Sequence, residues 1–414
     1  MGLLAPAPLL LIPHALSFES KQYSVLQMDQ TSNQDNQQLF ALLKSLQHAS
    51  KELQKNTIFA TNNPQSTIEP FLDLGKNANA ILCNDPNIFK LSQLLCNLKI
   101  LLEKLQKYQG YSLPCALRRQ IINYKIYQVA YAIETEIQAY TDRESVQNLV
   151  ETLEDSDDED KKMKVLIEFE KRLSQGFDFY FQDLILKAKV FSILELLLCD
   201  SSYSIRIQDQ VSLVIASLVR FNKDVFVGLV LMGPTVRALI SMSSCCSIRV
   251  VSLLIKFIRI PLVDELEAYK QIPRIISLLS SENMSIQVGA VDCILGIACY
   301  GRREAIEAML EAGLVEKLVE LQRLECNENE SGTTNEEGSK SDAKMESDEE
   351  GSVENSPFES SVSRFAVQLE VGEMLSENEK KEFKLEILRR VREASVSEAE
   401  SATIVTEVLW GSSP

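Results

Sequence analysis

Leucines recur at three- and four-residue steps through the first third of the chain. Between Asp35 and Gln54 they fall at Leu39, Leu42, Leu43, Leu46 and Leu53, which describes a one-sided helix in need of a partner. The same spacing over about Ile88 to Tyr108 (Leu91, Leu94, Leu95, Leu98, Leu101, Leu102, Leu105) predicts a second helix. Pro114 to Tyr140 predicts a third and Val146 to Leu153 a short fourth. Strand-type alternation is nearly absent, so a bundle of long helices is expected over residues 34–185. Within it, six acids in the seven residues Glu154–Asp160, followed by Lys161, Lys162 and Lys164, read as a solvated loop. Apolar periodicity resumes at Val165 and runs to Leu324.

From Val190 to Leu324 the pattern repeats itself. Four lines align: Val190-Phe-Ser-Ile-Leu-Glu-Leu-Leu197, Thr235-Val-Arg-Ala-Leu-Ile-Ser-Met242, Ile272-Pro-Arg-Ile-Ile-Ser-Leu-Leu279 and Leu314-Val-Glu-Lys-Leu-Val-Glu-Leu321, with starts 45, 37 and 42 residues apart. Longer apolar lines follow the first and third, from Ile205 to Val219 and from Ile286 to Ala298. Each unit therefore reads as a medium helix, a short loop and a longer helix. Such a pair exposes an apolar face that only the next pair can cover, so the units should stack into a superhelix with an extended groove.

These residues resemble the armadillo repeat, best in the third unit, Ile272-Pro-Arg-Ile-Ile-Ser-Leu-Leu-Ser-Ser-Glu-Asn-Met-Ser-Ile-Gln-Val-Gly-Ala290. Similar repeats occur in plant armadillo proteins, some joined to a U-box, and no U-box is visible in this chain. The resemblance implies a non-enzymatic protein-binding scaffold; the alternative it suggests is an adaptor recruiting substrates to a ubiquitin ligase supplied by another chain. Armadillo proteins that capture extended peptides use asparagines and tryptophans on the last helix of each repeat. The corresponding positions here read Ser217 and Gly296 for asparagine, and Leu213 and Asp292 for tryptophan, which argues against capture of a basic peptide in that manner. With the neighbouring cations Arg220, Lys256 and Arg259, these are the expected partner contacts.

Composition narrows the chemistry. The 414 residues are 45% apolar and 24% charged, with a formal charge of −17 from 42 bases and 59 acids. Whole-molecule attraction to nucleic acid or anionic membrane is therefore not expected, and any such partner needs a local basic patch. No apolar run is long enough to cross a bilayer. Nine cysteines, including adjacent Cys245 and Cys246, show no metal-binding spacing and suit a reducing cytoplasm or nucleus. Only two histidines are present, and no phosphate cradle, zinc motif or nucleophile elbow is found. No catalytic residue, metal, cofactor or small-molecule substrate is expected.

Charge is unevenly spread. Residues 186–280 hold eleven bases against seven acids, whereas residues 325–361 hold two against twelve. The second stretch is Gly/Ser/Glu-rich and reads as a solubilising spacer; a sharper reading has it competing for the basic side with an acidic ligand. Ser347, followed by three acids, is a candidate phosphorylation site. Arg389, Arg390 and Arg392 are interleaved with glutamates and read as a salt-bridged helix surface. The expected plan is all-α: an extension at 1–33, disordered or misannotated and lacking the positive start of a signal peptide, with Met28 opening a more natural beginning; a bundle at 34–185; armadillo-like repeats at 186–325; an acidic disordered linker at 326–358; and a C-terminal helical segment at 359–414.

Overall fold

The computed structural model describes residues 39, 41–55, 89–108, 112–332 and 357–410. Regular structure among these residues is entirely helical. The chain divides into two compact units, 1–144 and 145–414, where the sequence places the end of the bundle at 185. The extension 1–33, Ser347 and most of the acidic stretch (333–356) lie outside the described residues.

In the first unit, α1 (41–55), α2 (Phe89–Lys107) and the first part of α3 (Leu113–Asp155) share one core. Leu43, Leu46 and Leu53 meet Leu91, Leu95, Leu98 and Leu102 and the β-branched row Ile122, Ile126, Ile133 and Ile137. Glu134 of α3 ties this core to α1, accepting from Gln54 Nε2 at 2.9 Å and pairing with Lys51 at 3.3 Å. The sequence predicts separate helices at 114–140 and 146–153, but α3 is one helix of 43 residues. Its junction, Thr141-Asp-Arg-Glu-Ser145, contains no glycine or proline to stop it.

The second unit begins with the far end of α3, whose Val146, Leu149 and Leu153 join a core that continues without a break to Val408. The acidic run expected as a loop is mostly helix. Only residues 156–158 are irregular, and Asp158 caps α4 (Glu159–Leu173) by accepting from the amides of Asp160 and Lys161 at 3.0 and 3.2 Å. Glu159 and Asp160 then occupy the first turn, where the helix dipole favours negative charge.

After α4 the chain writes helices in threes. The first set is α5 (Phe179–Lys187), α6 (Val190–Cys199) and α7 (Ile205–Phe221); the second is α8 (Lys223–Met232), α9 (Thr235–Met242) and α10 (Cys245–Ile258). The third is α11 (Ile260–Ala268), α12 (Ile272–Ser277, extended by a 3₁₀ turn at Leu278–Ser280) and α13 (Met284–Tyr300). The fourth is α14 (Arg303–Glu311), α15 (Leu314–Gly332) and α16 (Ser361–Val371), and α17 (Glu377–Ala394) with α18 (Glu398–Trp410) covers it. The third helices form a continuous row in which α4 packs on α7, α7 on α10, α10 on α13, α13 on α16 and α16 on α18. This unit is an all-α solenoid of armadillo-like repeats.

Two local devices recur from repeat to repeat. The turn between first and second helices takes a left-handed residue in three repeats, Lys189 (φ 51°), Lys270 (φ 53°) and Gly313 (φ 76°), a conformation that glycine alone adopts without strain. At the start of the third helix a buried or half-buried amide reaches back to the second. Gln208 Nε2 donates to the Leu198 and Asp200 carbonyls at 3.1 Å, and Gln287 Nε2 donates to the Leu279 carbonyl at 3.2 Å. The second repeat lacks that glutamine and uses a capping box between Ser244 and Ser247 instead.

The acidic stretch interrupts the fourth repeat between its second and third helices, so residues 361–410 continue the same core rather than forming a separate segment. The interruption is closed at its base. The Glu325 carboxylate accepts from the Phe358 amide at 3.1 and 3.3 Å, Gln322 Oε1 accepts from the Val362 amide at 3.2 Å, and Ser361 Oγ donates to the Leu318 carbonyl at 3.5 Å.

Candidate partner-binding face

The outward side of the third helices carries most of the side chains that the repeat register selects. Arg220 ends α7 exposed, its guanidinium 5.5 Å from the Phe257 ring near the end of α10. Arg259 follows α10 and repeats the arrangement one unit on, 5.8 Å from the Tyr300 ring at the end of α13. Lys256 is exposed on α10 between them. Leu213 and Asp292 are half-buried, and Leu213 packs on the core. Ser217 is half-buried and donates at 3.5 Å to Glu170 of α4.

Gly296 is a correction. It is buried, and a Cβ there would lie 2.7 Å from Ile255 Cγ2 of α10, so its position serves the close approach of two third helices and presents nothing to a ligand. Sequence reasoning also missed Arg249, exposed on α10, because the second repeat offers no glutamine to set its register. Phe257 and Tyr300, and their pairing with the preceding arginine, were missed as well.

Arg220, Arg249, Lys256 and Arg259 have no carboxylate partner among the described residues. Among the acids of this row are Glu170, which accepts from Gln210 at 2.7 Å, Asp209, which accepts from Ser244 at 2.5 Å, and Asp292. Neutral donors thus hold two of the three, and the four cations remain available to carboxylates or phosphates from outside.

Burial is the leading cause of raised thiol pKa values at Cys199, Cys246, Cys293 and Cys299, with Cys246 pushed up to about 11 by burial and then by Asp209. Such thiols stay protonated at neutral pH. No group of three or more His, Cys, Asp or Glu among the described residues could hold a metal ion. A cavity between α8, α9 and α11, lined by Gly233, Arg237, Glu265 and Tyr269, has about 10 Å³ of room, enough for one water.

No family model matches the chain, and no curated protein matches it. Among solved structures, an engineered protein is 15% identical with a TM-score of 0.43, covering 66% of this chain and 96% of its own. A designed armadillo repeat protein is 17% identical with a TM-score of 0.41 (64% of this chain, 99% of that one). Another, described in complex with the peptide (KR)4, is 16% identical with a TM-score of 0.42 (64% and 98%). The assignment to armadillo-like solenoids rests on the repeat geometry described above.

Proposed function

We propose that the chain is a non-enzymatic scaffold whose third-helix face binds a protein partner through an acidic or phosphorylated segment. The observation that carries this reading is the set of four cations, Arg220, Arg249, Lys256 and Arg259, left without carboxylates on the adjacent helices α7 and α10 and the residue that follows. A long row of stacked helices suits an extended segment better than a small molecule, and fixed cations give such an interface orientation and on-rate. The seven cysteines whose side chains the structure describes are all free, which fits the cytoplasm or nucleus.

The test is affinity capture with the full chain and with its Arg220→Glu/Lys256→Glu/Arg259→Glu variant, followed by mass spectrometry and salt titration of each hit. Proteins enriched by the parent, lost by the variant and weakened by salt support the face. Hits indifferent to both place recognition elsewhere, and co-enrichment of a ubiquitin ligase would make the scaffold an adaptor.

A further inference from the structure

The helix α3 has a second apolar row that the first unit's core does not use. Leu113, Leu117, Ile121, Tyr124 and Tyr131 are each between 57% and 79% exposed. At about 100° per residue they fall within roughly 40° of one line, directly opposite the buried row Ile122, Ile126, Ile133 and Ile137. The row is thus an outward ridge about 27 Å long at 1.5 Å per residue. Its first turns are exposed nearly all round, with only Cys115 half-buried from Ser112 to Ile121.

The ridge lies in the most basic part of the chain. From Lys104 to Ile133 there are five bases (Lys104, Lys107, Arg118, Arg119, Lys125) and no acid, in a protein of net charge −17. None of the five has an ion-pair partner among the described residues, and Arg118 lies over the Tyr108 ring at 5.7 Å. Across the described residues of the first unit, eleven bases face six acids. Charge farther away than about 8 Å is screened at physiological salt, so the local excess governs what approaches the ridge.

We propose that this ridge is a peripheral docking surface for an anionic lipid membrane. Leucine and isoleucine on the line enter the acyl boundary, the tyrosines sit at headgroup depth, and Arg118 and Lys125, about 100° and 80° round the helix from Leu117, meet phosphate. A second copy fits less well, because a two-fold antiparallel pairing would set the Arg118 and Lys125 rim against itself. Nucleic acid would leave the leucines without a role. No single helix among the described residues is long and apolar enough to span a membrane, so the contact is superficial.

The experiment is sedimentation of the full chain with vesicles of 70:30 phosphatidylcholine:phosphatidylserine and with phosphatidylcholine alone. Binding to the anionic vesicles only is expected. Arg118→Gln/Lys125→Gln should weaken it about thirtyfold and Leu117→Gln/Ile121→Gln more than about tenfold, with unchanged melting curves because all four side chains are exposed. Equal binding of parent and variants, or none, overturns the proposal. Light scattering that shows a dimer split by Leu117→Gln/Ile121→Gln would assign the ridge to a second copy. Slow maleimide labelling of Leu117→Cys before vesicles are added would show that the chain covers the ridge itself; either result overturns the lipid assignment.

Discussion

Replacing Gly296 by alanine separates packing from helix propensity. In the interior of α13, alanine should stabilise the helix by about 1 kcal/mol over glycine. The added methyl, however, would sit 2.7 Å from Ile255 Cγ2, on a fully buried β-branched side chain whose χ1 has little freedom to turn away. Forcing a methyl into such a contact costs about 1–3 kcal/mol, so a net loss of about 1 kcal/mol is expected. Gly228 of α8 is the control: it is exposed and a Cβ there would meet nothing within 4 Å, so Gly228→Ala should stabilise by about 1 kcal/mol. Urea unfolding of the two variants beside the parent reads both signs. The double variant Gly296→Ala/Ile255→Ala should lose less than the sum of its singles, since the new methyl enters the space that the isoleucine vacates. Equal stabilisation by both glycine replacements would falsify the close approach of α10 and α13, and with it the reason for removing Gly296 from the binding face.

Three further outcomes follow from the same geometry. A protease site placed within 333–356 should give fragments that stay associated after cleavage, because α16 packs on α13 and α18 and the bonds of Glu325 and Gln322 close the base of the insertion; separation on native gel filtration would refute that. Lys189→Gly and Lys270→Gly should each stabilise by about 1 kcal/mol in thermal unfolding by relieving a left-handed lysine, and a loss at both sites would count against strain there. Hydrogen bonds from Arg389 and Arg390 hold Glu386 at about 2, below its ordinary 4.5. A depressed carboxylate stabilises the fold above its unfolded pKa, so this contribution should disappear as pH falls from about 4.5 towards 2. Glu386 is about a third exposed and Arg389 about half, which limits the effect to a fraction of a kcal/mol; an NMR titration placing Glu386 near 4.5 would contradict it.

The repeats were legible where spacing alone decides structure. The second-helix lines from Val190, Thr235, Ile272 and Leu314 mark α6, α9, α12 and α15, because apolar periodicity and helix contact are the same fact seen twice. Of the salt-bridged surface expected for Arg389, Arg390 and Arg392, the first two are paired, both with Glu386, while Arg392 has no ion pair among the described residues. Reading failed where contact is distant in sequence. Val362, Phe365 and Leu369 read from the sequence as a cap on the far end of the repeats, and they do pack on that core, but nothing local says that they complete a repeat begun at Arg303 across an acidic interruption. The binding face suffered similarly: register alone cannot tell a small residue that faces solvent from one that admits a neighbouring helix, and Gly296 is the second kind.

The solenoid is not held together uniformly. Between α10 and α13 the junction is apolar, with Gly289 and Gly296 set against Ile248 and Ile255. Between the fourth repeat and α17–α18 it is laced with charge: Arg303 to Glu382 at 3.0 Å, Arg390 to Glu316 at 3.5 Å, and Arg323 bonded to Glu400 at 2.7 Å and to the Ala394 carbonyl at 3.1 Å. Repeat stability is set by nearest-neighbour interfaces, so each junction should respond to solvent in its own way. Raising salt from 0.1 to 1 M shortens the Debye length from about 10 to about 3 Å, which weakens exposed ion pairs and strengthens apolar burial slightly. Hydrogen exchange should therefore quicken in α17 and α18 with added salt while α10 and α13 stay protected. Arg323→Met should produce part of the same local loosening at low salt and reduce the further response, because it removes one of the three ion pairs on which salt acts. Uniform acceleration along the solenoid, or none at its C-terminal end, would mean that apolar contacts through Phe383, Ile387, Ile404 and Val408 hold the last helices without help from those pairs.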